Sequence, residues 1–213
     1  MRSANDGTPT IERKRCEGGM NIWYATRDGQ SKKIAEQVAH HLVNRGIPTV
    51  ALDLMERNDP AAGVEPGGPV VAILALRYGH HLPEGIRFLK ALANTPDAPP
   101  LFLASVNLTA RKAGKDGADS NVYLRKLIAH LGLKPVLATA FAGRLDYPRY
   151  KPFDRFMIRL IMRMTGGPTD PSTIVEYTDW AKVEAFAAAI AAFRPDGEHA
   201  SADGGNSSPA AGG

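Results

Sequence analysis

The residues best suited to chemistry in this 213-residue chain sit in one turn, Thr26-Arg27-Asp28-Gly29-Gln30-Ser31. A short apolar run over residues 21–24 precedes it, and Ile34, Val38 and Leu42 follow on one helical face, so the spacing predicts strand, turn and helix. The first N–H groups of a helix lack intrahelical acceptors and lie at the positive end of its dipole, which favours a docked anion. Thr26 and Ser31 add hydroxyl donors, and Gly29 allows close backbone approach. Two readings stay open, a phosphate cradle and a polar turn with a helix N-cap. Asp28 would repel a phosphate and is expected to face away and cap the helix. No Gly-Lys-Ser/Thr follows, which excludes a Walker loop, and one glycine stands where a dinucleotide fingerprint needs three.

The elements that must position this turn follow in order. The first helix is predicted to stop at Gly46, and a second strand to run over residues 47–54. The continuous apolar run over 69–76 reads as a strand buried on both faces. It empties into a loop, Arg77-Tyr78-Gly79-His80-His81, before a helix carrying Ile86, Leu89 and Leu92. A strand over 101–106 leads into a polar loop bearing Arg111, Lys112 and Lys115. Asp119 or Ser120 is expected to cap the next helix, which ends at Gly132, and a fifth strand covers 136–142. Alternating strands and helices predict a parallel sheet with helices on both sides, whose ligands bind beyond the carboxyl ends of the strands. Three loops leave from those ends.

Composition narrows the function. The 26 Lys and Arg against 22 Asp and Glu make the chain mildly basic, too weakly to imply nucleic acid. The lone cysteine, Cys16, excludes a disulfide framework within the chain, in keeping with a reducing cytoplasm. The pairs His40-His41 and His80-His81 have no accompanying Cys or carboxylate cluster, so no metal site is expected. No apolar run is long enough to span a bilayer. Residues 1–19 read as a disordered leader, or as sequence upstream of a start at Met20, and residues 195–213 as a disordered tail. Residues 20–194 form the expected domain.

Between the fifth strand and a last helix over 180–193 lies an insertion of about residues 144–175. Within it, residues 152–165 place Phe153, Phe156, Met157, Leu160, Ile161 and Met164 at helical spacing, with Arg155, Arg159 and Arg163 as a stripe. Such a helix is about 18 Å long, too short to cross a bilayer but suited to the headgroup layer. Lipid contact by Arg155, Phe156, Arg159, Leu160 and Arg163 is one reading; a helix packed on its own domain or a dimer contact is the other. The segment 174–177 looks like a strand fragment, as though the insertion split the last strand in two.

Thr26-Arg27-Asp28-Gly29-Gln30, Arg77-Tyr78-Gly79-His80, Ser105-Val106-Asn107-Leu108 with Ala110-Arg111-Lys112, and Tyr147-Pro148-Arg149-Tyr150 resemble the flavodoxin-like, quinone-dependent protoporphyrinogen oxidases of bacteria. So do Asp154-Arg155-Phe156-Met157-Ile158, Gly166-Gly167 and Tyr177-Thr178-Asp179-Trp180. The resemblance covers residues 21–193, and the insertion carries its most specific part. It implies a doubly wound five-stranded parallel sheet of order 2-1-3-4-5; flavodoxins are themselves among the folds from which the carboxyl-end rule was drawn. It further implies FMN, protoporphyrinogen IX as substrate, menaquinone or ubiquinone as acceptor, and a peripheral place on the cytoplasmic face of the inner membrane. Two departures stand out: the leader exceeds what the family needs, and the acidic or aromatic flavin neighbours of carrier flavodoxins have no evident counterpart.

On that reading Thr26, Arg27, Asp28, Gly29, Gln30 and Ser31 hold the phosphate. Leu76, Arg77, Tyr78, Gly79, Ser105, Val106 and Asn107 flank the ring, with Tyr78 the stacking candidate. Arg77, Arg111, Lys112, Arg144 and Arg149 are candidates for the substrate propionates, and His80 for a proton acceptor. An NAD(P)H:quinone reductase and an electron-carrier flavodoxin are the rival functions. Carriers are usually acidic, unlike this chain, and fold alone does not choose among the three.

Overall fold

The computed structural model describes residues 19–59, 61–65 and 67–194, so the leader, apart from its last residue, and the tail lie outside the described residues. The elements run β1 (Met20–Ala25), α1 (Gln30–Val43), β2 (Thr49–Asp53), β3 (Val70–Arg77), β4 (His80–His81), α2 (Pro83–Ala93) and β5 (Leu101–Val106). Then come α3 (Val122–Leu131), β6 (Leu137–Phe141), β7 (Arg144–Asp146), α4 (Pro152–Met164), β8 (Ile174–Glu176) and α5 (Trp180–Ala192). The main sheet has the order β2-β1-β3-β5-β6, all parallel, which is the expected five-strand order.

Alternation along the strands divides the core. Ile22 and Tyr24 of β1 face α1 and α5 in a cluster with Ile34, Val38, Phe186 and Ile190. Trp23 and Ala25 face the other way, toward α2 and α3, where Trp23 stacks on Phe88 with ring centres 5.2 Å apart. All six residues of β5 are buried, as an apolar run without alternation requires. Full burial of each large apolar side chain contributes about 1.5–3 kcal/mol, and this two-sided core fixes the strand ends that carry the loops.

Three expectations are corrected. The loop containing His80 and His81 forms a two-residue antiparallel strand, pairing Leu76 with His81 and Arg77 with His80. The cap of α3 is Asn121, whose Oδ1 accepts from Leu124 N at 3.2 Å, while Ser120 Oγ accepts from Gly117 N and stays outside the helix. The 174–177 fragment is no half of the fifth strand: β8 pairs antiparallel with β7 in a separate ribbon, Arg144 opposite Glu176. Its Ile174 is 55% exposed. The insertion instead has a small core of its own, built from Leu145, Tyr147, Tyr150 and Met162.

Candidate functional site

The turn after β1 has the geometry of an open anion site. Gly29 takes φ 87°, a left-handed conformation that costs glycine nothing and other residues about 1–2 kcal/mol. Thr26 Oγ1 accepts from Gly29 N at 3.0 Å and so closes the turn. The first main-chain bond of α1 runs from Lys33 N to Gly29 O at 3.0 Å, so the N–H groups of Gln30, Ser31 and Lys32 precede the helical ladder. Ser31 is 1% exposed, and its hydroxyl has no hydrogen-bond partner. A buried hydroxyl without a partner is costly unless a ligand supplies one.

That hydroxyl lines a cavity of about 320 Å³ at the carboxyl ends of the strands. Thr26 and Gln30 line it from the β1–α1 turn, Leu76, Tyr78 and Gly79 from the end of β3 and the β3–β4 turn, and Val106 and Asn107 from the end of β5. The three predicted loops therefore converge. The insertion joins them through Tyr150, Ile158, Ile161 and Thr165, which line the same cavity. Ile158 and Ile161 were not legible as site residues, although a helix apolar on more than one face is a signal that two surfaces claim it.

Several predicted residues have other duties. Arg27 turns away to pair with Glu84 at 2.9 Å. Asp28 does not cap α1, whose N-cap Gly29 receives no side-chain bond; it accepts from Arg77 at 3.2 Å, because a cation 49 residues away offers more than a local N–H. Gln30 donates to Glu176 at 2.8 Å and Thr178 at 2.9 Å, tying the turn to the end of the insertion. Ser105 is fully buried beneath the cavity and does not line it; its hydroxyl lies 2.8 Å from His81 Nε2 and accepts from Asn107 Nδ2 at 3.0 Å. Asn121 Nδ2 extends this network by donating to Asn107 Oδ1 at 3.2 Å and Lys115 O at 2.8 Å.

The histidine chosen from sequence, His80, is exposed and outside the cavity, whereas its neighbour His81 points inward. Opposite directions for adjacent strand residues explain the difference. Burial, with a lesser contribution from His80, pushes the His81 imidazole down to about 4, so it is neutral near pH 7.

Of the predicted substrate cations, Arg77, Arg111 and Arg144 line the crevice, Arg149 lines an adjoining cavity, and Lys112 lines neither. Arg111 donates to Leu108 O at 2.7 Å and to Thr165 O at 3.2 Å, pinning the last turn of α4. Lys112 faces a different cavity, beside Asp116, Tyr177 and Lys182. Arg77 bridges Asp28 and Asp154; against the opposing effect of burial, the Tyr78 oxygen and then those two carboxylates raise its pKa above the ordinary value. Arg144 pairs with Asp146 at 2.9 Å. Arg144, Arg149 and Lys151 line a second cavity of about 470 Å³ that shares Asp28, Gln30, Arg77, Arg144 and Tyr150 with the first.

On α4 the outward face carries Phe153, Phe156, Leu160 and Met164 at 68%, 64%, 44% and 79% exposure. Arg155 and Arg159 of the expected lipid stripe spend donors on the protein itself: Arg155 on Tyr147 O at 3.0 Å and Arg159 on Thr169 O at 2.8 Å. Arg163 is exposed. No helix among the described residues is long and apolar enough to cross a membrane.

A flavodoxin-domain family model matches residues 21–172. The protoporphyrinogen IX dehydrogenase (quinone) of Escherichia coli strain K12 is 39% identical over 170 residues, which is 80% of this chain and 93% of that protein. The Leishmania major protein of the same name is 40% identical over 170 residues, 79% of this chain and 73% of its own length. Oxidised flavodoxin 1 from Bacillus cereus aligns with TM-score 0.49 at 13% identity, over 81% of this chain and 96% of that one. A flavodoxin domain brings a flavin cofactor, and the crevice fits one: an unpartnered buried hydroxyl and open helix N–H groups at one end, with the apolar side chains of Leu76, Val106, Ile158 and Ile161 among its lining. The chain belongs to the flavodoxin-domain family and, within it, to the family of the protoporphyrinogen IX dehydrogenases (quinone).

Proposed function

We propose that this chain oxidises protoporphyrinogen IX to protoporphyrin IX in haem synthesis, with FMN in the crevice and a membrane quinone as electron acceptor. The observation that carries the reading is the juxtaposition of a phosphate-ready turn, whose Ser31 hydroxyl lacks a partner, with a cation-lined cavity opening beside it. A bound flavin supplies the acceptance of electrons from the porphyrinogen and their delivery to the quinone. Ser31 and the first N–H groups of α1 hold the phosphate monoester that FMN carries. Leu76, Val106, Ile158 and Ile161 exclude water from the ring. Arg149 and Lys151, with Arg144 beside them, attract the propionates, while Arg77 is neutralised by its two carboxylates. His81 is committed to Ser105, and His80 stands in solvent outside the crevice, so neither is placed to take protons from pyrrole nitrogens within it.

The exposed stripe of Phe153, Phe156, Leu160 and Met164 supports a peripheral position on the cytoplasmic face of the inner membrane, with α4 lying in the headgroup layer. Purified protein with FMN is expected to form porphyrin, followed by fluorescence, faster with quinone than without. Porphyrin no faster than autoxidation from flavin-loaded protein would move the assignment to a reductase or carrier. The double substitution Phe156→Asp with Leu160→Asp is expected to weaken sedimentation with anionic phospholipid vesicles by roughly a hundredfold. Porphyrin formation with a water-soluble quinone is expected to persist, because neither side chain lines the crevice.

A further inference from the structure

Besides the side chains it places in the crevice, the insertion holds two crevice residues, Arg77 and Tyr78, through one carboxylate. Asp154, in the first turn of α4, accepts from Arg77 Nη2 at 2.5 Å and from the hydroxyl of Tyr78. Arg77 gives Nη1 to Asp28 of the phosphate turn at 3.2 Å, and its guanidinium carbon lies 5.3 Å from the centre of the Tyr78 ring. The four residues thus join the phosphate turn, the β3–β4 turn and the insertion in one cluster.

The backbone shows why the clasp matters. Tyr78 has φ 50° and is the non-glycine residue with positive φ among the described residues; Gly79 follows at 84°. Two successive positive φ values are what a tight hairpin turn demands, yet a bulky aromatic residue strongly disfavours that conformation. A strained residue persists where its surroundings over-determine it. Here the ring is held along its plane by the Asp154 contact at the hydroxyl and over its face by Arg77.

We propose that Asp154 is a positioning residue: from the insertion it holds the Tyr78 ring at the flavin crevice and fixes Arg77 against the phosphate turn. The insertion helix therefore shapes the cofactor site as well as any surface it presents outward. Arg77, shared between two carboxylates, is kept from the substrate, which leaves anion recognition to Arg149 and Lys151. The inference rests on the flavin reading of the crevice, and flavin binding by the unaltered protein tests that reading separately.

The experiment compares Asp154→Ala, Asp154→Asn and Arg159→Ala, the last cutting only the tie from α4 to Thr169 O. FMN titration of the flavin-free protein is expected to show about tenfold weaker binding for Asp154→Ala, with a smaller loss for Asp154→Asn, which keeps an acceptor oxygen. The visible spectrum of bound flavin is expected to shift in both Asp154 variants and not in Arg159→Ala. In a Tyr78→Phe background the Asp154→Ala substitution is expected to add less than it does alone. Hydrogen exchange in the flavin-free proteins is expected to quicken across residues 76–81 in the Asp154 variants only. Wild-type affinity, spectrum and exchange in both Asp154 variants would overturn the proposal. So would an Arg159→Ala protein that reproduced every change, since Asp154 would then serve only the folding of the insertion.

Discussion

Ser31→Asp is expected to weaken flavin binding about a thousandfold, with a smaller cost in stability from the buried carboxylate. The hydroxyl of Ser31 is buried, has no partner and lines the crevice, so a carboxylate there would meet the phosphate. Two like charges about 4 Å apart repel by about 4 kcal/mol at an effective dielectric near 20, which corresponds to roughly a thousandfold loss of affinity. The dipole at the start of α1 offsets part of the cost of burying that carboxylate. Ser31→Ala is the milder companion, expected to cost about 1.5–3 kcal/mol of binding through one lost charge-assisted hydrogen bond. Flavin fluorescence titration measures both, and unfolding by urea controls for stability. A Ser31→Asp protein that bound FMN as tightly as wild type would show that the phosphate lies elsewhere.

Acid should unfold this protein earlier than its carboxylates alone would require, through His81. Burial lowers its imidazole from the ordinary 6.5 to about 4, so over that interval the unfolded chain binds a proton that the folded chain refuses. The contribution to stability is complete above pH 6.5 and is lost as pH falls toward 4, amounting to about 3 kcal/mol in all. Glu84, lowered by Arg27 against the opposing effect of its burial, and Asp116, lowered by Lys182, add their losses at lower pH. Urea unfolding at pH 7 and pH 4.5 should therefore show a fall in stability that His81→Gln largely abolishes. An equal fall in both proteins would assign the acid sensitivity to the carboxylates. Because His81 reaches Ser105 and, through it, Asn107, the same protonation would loosen the end of β5 where it meets the crevice.

Much of the site was legible in sequence because its signals are local. Strand, turn and helix around Gly29 follow from periodicity and from a glycine where positive φ is needed, and the structure has φ 87° there. The buried runs that became β3 and β5 were evident from unbroken apolar composition. The cap of α3 was missed by one or two residues, since Asp119, Ser120 and Asn121 all carry capping side chains and only the turn's exit angle chooses among them. The strand at Ile174 was recognised as extended, but its partner was not, because pairing depends on where the chain doubles back after Gly143.

By itself the sequence determined the layered sheet, the three loops at its carboxyl edge and an insertion helix with apolar residues on more than one side. Period, turn chemistry and burial pattern act over a few residues, and each leaves a local trace. Only the tertiary structure decided that Asp28 serves Arg77 and caps nothing, that His81 faces inward and His80 does not, and that Arg155 and Arg159 brace the insertion. Long charged side chains take whichever partner folding brings within reach, and for Arg77 that partner, Asp154, lies 77 residues along the chain. No spacing rule records such a meeting; it exists once β3, the phosphate turn and α4 have been packed around one crevice.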